Sequence, residues 1–119
     1  MSSIDDLLMS EIGSYSMTET TLELGGETIT LFAKPLTSAD LQFINRTHPG
    51  FMTAPTAEGV VDMLIRKAVD GDNKAIFTKA HKVPLMRVRS DKLLNAFGNL
   101  FKGQVEEPDD ETEEARVGN

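Results

Sequence analysis

Cysteine is absent from the 119 residues, which excludes disulfides and thiolate-held metal and leaves nothing that needs an oxidising compartment. Histidine is nearly absent. His48 and His81 stand thirty-three residues apart, and neither has a second nitrogen, sulfur or carboxylate at metal-ligand spacing, so surface or capping roles are expected for both. No glycine-rich loop joins a strand to a helix, because Gly25-Gly26 lies between two strand-like runs. None of the serines sits in a nucleophile-elbow pattern. No apolar run approaches the roughly 20 residues of a membrane span, and the start carries Asp5 and Asp6 where an export signal would carry Lys or Arg. The expectation is a soluble, cytoplasmic, non-catalytic chain with no cofactor, no metal and no membrane partner.

Positive charge is also scarce. Twelve Lys and Arg face nineteen Asp and Glu, for a net charge of -7, which disfavours a nucleic-acid backbone as partner because phosphate neutralisation needs clustered cations. The imbalance lies at one end. Residues 104–119 hold seven of the carboxylates, among them Glu106, Glu107, Asp109 and Asp110, against a single Arg. So little apolar surface cannot offset about 1 to 2 kcal/mol of backbone entropy per residue, and the segment reads as a disordered acidic tail. The remaining length fits one domain over residues 19–103, preceded by a flexible N-terminal segment, 1–18, in which Leu7, Leu8, Met9 and Ile12 suggest at most a helical turn.

Within the domain, Thr20 to Leu24 and Glu27 to Ala33 read as two strands around the Gly25-Gly26 turn. That turn sets Leu22 opposite Ile29 and Thr20 opposite Leu31, so Leu22, Leu24, Ile29, Leu31 and Ala33 share an apolar face that helices must cover. After Lys34-Pro35, Thr37 with Asp40 three residues on forms a capping box, and Leu36 with Leu41 has staple spacing. A helix follows to about Arg46. A second is expected from Pro55-Thr56 to Asp70-Gly71 on the apolar rhythm Ala57, Val60, Val61, Leu64, Ile65 and Ala68. A short turn follows Thr78, and Pro84 opens a last helix carrying Met86, Leu93, Leu94, Phe97, Leu100 and Phe101, with Ser90-Asp91 as a point of interruption. The fold class is α+β: an N-terminal antiparallel β-hairpin packed against three to four α-helices.

Two features point outward. Lys82, Arg87, Arg89, Lys92 and Lys102 form a basic locality, read either as a solvated helix face or as a site for an acidic segment, including the chain's own tail. Six Met and six Phe supply adaptable apolar surface, which serves either as core or as a groove for apolar helices. For the groove reading the partner-binding residues are Phe43, Met63, Met86 and Phe97, with Glu106, Glu107, Asp109 and Asp110 in the tail.

Taken in order, the segments TLFAKPLTSADLQFINR, VVDMLIRKAV, DGDNKAIFTKAHKVPLMRV and DETEEARVGN resemble the small tail assembly chaperones of long-tailed, siphovirus-like bacteriophages. The likeness rests on the order of elements, and the ending Arg116-Val117-Gly118-Asn119 departs from the Lys-Asn pair with which the family often closes. The resemblance implies a non-catalytic factor of the host cytoplasm, absent from the finished virion. Such a factor coats the apolar helices of the tape measure protein, helps recruit tail tube protein, self-associates and accompanies a longer frameshifted form. The competing class is an acidic inhibitor or regulator, antitoxin-like or a nucleic-acid mimic, that binds a basic protein through its charge.

Overall fold

The computed structural model describes residues 3–104. The chain is α+β, with a two-stranded antiparallel sheet and five α-helices among the described residues, in the order α1 (Ile4–Gly13), β1 (Thr18–Leu24), β2 (Glu27–Ala33), α2 (Ser38–Thr47), α3 (Ala57–Lys67), α4 (Lys82–Met86) and α5 (Ser90–Leu100). A single 3₁₀ turn, Lys79–His81, leads into α4.

The hairpin has the register that its turn dictates. Gly25 and Gly26 adopt φ of 60° and 83°, the left-handed pair that a twist-matched two-residue turn requires. Leu22 pairs with Ile29 and Thr20 with Leu31. Leu22, Leu31 and Ala33 are buried, and α5 lies across β1 to cover them. Thr20 is buried on the same face, and its hydroxyl accepts a hydrogen bond from Asn99 Nδ2 at 3.2 Å. The core is completed by α3, whose Val60, Val61, Met63 and Leu64 are all sealed from solvent. Phe51, Phe97 and Phe101 pack beside it, edge to face for Phe51–Phe97 with ring centroids 5.6 Å apart and tilted for Phe97–Phe101 at 5.1 Å.

Three boundaries differ from the sequence expectation. The segment 1–18 is not merely flexible: residues 4–13 form α1, and β1 begins at Thr18. The Ser3 hydroxyl accepts from Asp6 N at 3.1 Å, and Asp5 and Asp6 lie in the first turn, where acids favour the exposed amides. α3 stops at Lys67, three residues early, because Val69 is taken by the free edge of β2. Val69 and Phe32 exchange two backbone hydrogen bonds of 2.8 Å, satisfying edge groups that a longer helix would leave unpaired. Finally, the last helix, expected from Pro84 with a point of interruption at Ser90-Asp91, is interrupted there, with α5 opening at Ser90, but its first part, α4, begins two residues before Pro84, at Lys82. A continuous one would set Leu85, Arg89, Leu93 and Phe97 in one i, i+4 row and drive Arg89 into the core. The break over Arg87 to Arg89 leaves the Arg89 side chain 77% exposed, 2.8 Å from Asp91, while Leu85, Leu93 and Phe97 stay buried.

Candidate partner-binding surface

α2 starts on the capping box anticipated for it: Asp40 N donates to Thr37 Oγ1 at 3.2 Å, and Thr37 N to Asp40 Oδ2 at 2.9 Å. This fixes the roll of the helix and sets Phe43 one turn on, half-buried, facing α3. The Arg66 guanidinium lies 4.7 Å above the Phe43 ring and donates from Nε to Asp40 Oδ1 at 2.8 Å. Lys67 Nζ stands 2.8 Å from Asp40 Oδ2. Burial pushes the Asp40 carboxyl up, but the hydrogen bonds from Lys67, Arg66 and the Thr37 amide outweigh it and hold the pKa at about 2.

Phe43 and Ile65 floor an open hollow of about 400 Å³, walled by Asp62, Arg66, Lys79 and Lys82. The floor is apolar and the rim is charged with both signs, the lining that suits a helix with one greasy stripe and polar shoulders. Behind its wall lies a polar cluster that linear spacing did not disclose. His48 Nε2 is 2.7 Å from Asp62 Oδ2, and Lys82 Nζ is 3.1 Å from Asp62 Oδ1 and 2.9 Å from Glu58 Oε2. His48, expected at the surface without an acidic partner, is therefore half-buried against one. Its imidazole and the two carboxylates lie within 4.8 Å of one another, and the Lys82 ammonium, paired with both carboxylates, offsets one of their two negative charges. Its hydrogen bonds to Glu58 and Asp62 raise the Lys82 pKa. His81 does cap: its Nδ1 accepts from Thr78 N at 2.9 Å.

The other sequence-designated residues separate. Met63 and Phe97 are 1% and 5% exposed and belong to the core, so neither is reachable by a partner; both fell on apolar stripes whose inner and outer edges are indistinguishable before packing. Met86 is 44% exposed, beside Leu94. Glu106, Glu107, Asp109 and Asp110 lie outside the described residues. Of the basic locality, Lys82 and Arg89 are engaged in ion pairs and Lys92 Nζ donates to Glu23 O at 3.2 Å, whereas Arg87 and Lys102 have no ion pair among the described residues.

One surface was missed. α1 has no buried residue, and Ile4, Leu7, Leu8, Met9 and Ile12 are 54 to 68% exposed, five of the eight exposed large apolar side chains among the described residues. The signal was present as the spacing Ile4, Leu7, Leu8, Ile12 behind a Ser3/Asp6 cap. Among the described residues, no helix is long and apolar enough to cross a membrane. Compared with family models, curated proteins and solved structures, the chain matches none of them.

Proposed function

We propose that the chain is a non-catalytic tail assembly chaperone of a long-tailed bacteriophage. In this reading it binds apolar helices of the tape measure protein in the host cytoplasm, keeps them soluble, helps recruit tail tube subunits and is left out of the finished particle. The observation that carries the reading is the open hollow floored by Phe43 and Ile65 and rimmed by Asp62, Arg66, Lys79 and Lys82. A tape measure is a long helical protein whose apolar stripes aggregate until the tube encloses them, and such a stripe fits an apolar floor between charged walls. At about 400 Å³ the open hollow accepts only a turn or two of helix. A small contact suits a chaperone, since tube subunits must displace it and each contact has to exchange readily.

The test is co-expression with an apolar, coiled-coil tape-measure fragment. The fragment should stay in the soluble fraction with the native chain and precipitate with Phe43→Asp, which puts a carboxylate on the floor. Equal precipitation with and without the native chain would sink the proposal.

A further inference from the structure

We infer that α1 docks its apolar stripe, head to tail, into a groove at the opposite end of a second copy of this chain. The groove lies where the hairpin turn meets α4. It is lined by Leu24, Ile76, Phe77, Pro84, Leu85 and Val88, with His81 at its edge, and offers about 270 Å³ of room.

Three observations select that occupant. First, the stripe is unpartnered at home: none of Ile4, Leu7, Leu8, Met9 or Ile12 is even half covered, although a ten-residue helix is marginal in water without tertiary packing. Second, charge is complementary. α1 carries Asp5, Asp6 and Glu11 and no base, while of the bases in the stretch Lys79 to Lys92 that forms and flanks the groove, Lys82 and Arg89 are already paired with Glu58, Asp62 and Asp91, and Lys79, Arg87 and Lys92 have no ion pair among the described residues. Lys92 stands at the turn end of the hairpin, held by Glu23 O. The basic locality thereby acquires a ligand that is both acidic and apolar. Third, donor and acceptor sit at opposite ends of the molecule. β1 leaves α1 at Thr18, which pairs with Ala33, and Ile12 and Tyr15 border the same open hollow as Pro35 to Ala39. The groove begins at Leu24, about 20 Å away along a seven-residue strand. A stripe at one end and a groove at the other make a heterologous contact, which propagates into rings or filaments rather than stopping at a two-fold dimer.

The association needs no client, so it stands or falls separately from the chaperone reading. Sedimentation of the full chain over a concentration series should show growth beyond a dimer. Leu8→Asp on the stripe and Val88→Asp in the groove should each weaken association by about ten- to a hundredfold, the loss expected when one buried aliphatic contact is removed. Because the chain has no cysteine, the contact can also be trapped without altering the rest. A Leu8→Cys chain mixed with a Pro84→Cys chain should, on oxidation, give the unlike-chain cross-link in excess of either like-chain product. A cross-link formed only within a chain bearing both cysteines at high dilution would place α1 on its own body and overturn the inference. So would a native chain that stays monomeric at its solubility limit, or Leu8→Asp material that associates as the native chain does. Phe43→Asp should leave self-association intact, and Leu8→Asp should leave client solubility intact, which keeps the two readings distinguishable.

Discussion

The carboxylate of Asp40 and the guanidinium of Arg66 meet at 2.8 Å, joining the first turn of α2 to the last turn of α3. Asp40 does three things at once: it closes the capping box with Thr37, holds Arg66 over the Phe43 ring, and binds Lys67, which itself donates to Pro35 O at 3.2 Å. The floor of the proposed client hollow is thus fixed by an ion cluster beside it.

The pH dependence follows from that cluster. Asp40 has a folded pKa of about 2 against an ordinary value of 3.8, and its side chain is only 6% exposed. A depressed carboxyl contributes stability that is complete above the unfolded value and is lost as the pH falls through the folded one. The window therefore runs from just above pH 4 down to about pH 2, and the loss is about 2 kcal/mol. Urea unfolding of native and Asp40→Asn protein measures it: the native chain should lose stability across that window and the variant should lack this component. Parallel pH profiles for the two would refute the assignment.

Thr37→Ala removes the hydroxyl that receives Asp40 N and should cost about 1 kcal/mol in thermal or chemical denaturation. Serine at the same position should restore most of it. An unchanged midpoint for Thr37→Ala would mean that α2 does not depend on this cap.

Gly59 sits inside α3 where alanine ordinarily stabilises a helix by about 1 kcal/mol. A Cβ there would lie 2.5 Å from a ring carbon of Phe51, which is 1% exposed and has little room to yield. Overpacking of this kind costs about 1 to 3 kcal/mol, so Gly59→Ala should be net destabilising, and Gly59→Ala with Phe51→Leu should recover part of the loss. A more stable Gly59→Ala protein would contradict the packing described.

Lys82 ties the short helix α4 to Glu58 and Asp62 on α3. Lys82→Met keeps the aliphatic stem and removes the ammonium, leaving two carboxylates facing each other beside His48. Amide hydrogen exchange over residues 82–86 should quicken while exchange in α3 stays slow. Equal acceleration in both helices would indicate that the cluster supports the whole core and not the docking of α4.

Much of the framework was legible because it is written in short-range chemistry. Gly25-Gly26 specifies a turn, the turn specifies the register, and alternation specifies which face of the hairpin is apolar. Thr37 with Asp40 specifies where α2 begins. α1 was equally local, a Ser3 cap followed by apolar residues at helical spacing, and was read as no more than a helical turn because a stripe without a partner looks like a fragment and not an element. The partner-binding residues were read less well. Phe43 and Met86 are accessible while Met63 and Phe97 are sealed, and all four sit on apolar stripes of similar appearance.

What the amino-acid order determined alone is the set of elements that a few adjacent residues can dictate: the hairpin with its register, the capped start of α2, and the charge separation between a nearly neutral body and an acidic end. Only the tertiary structure decided where α3 stops, which Met and Phe are core, and that His48, Glu58, Asp62 and Lys82 converge. Turns and caps are settled by bonds within four residues, so their outcome travels with the local sequence. Helix ends taken by a sheet edge, and ion clusters gathered from three helices, depend on which surfaces meet after the chain has closed on itself.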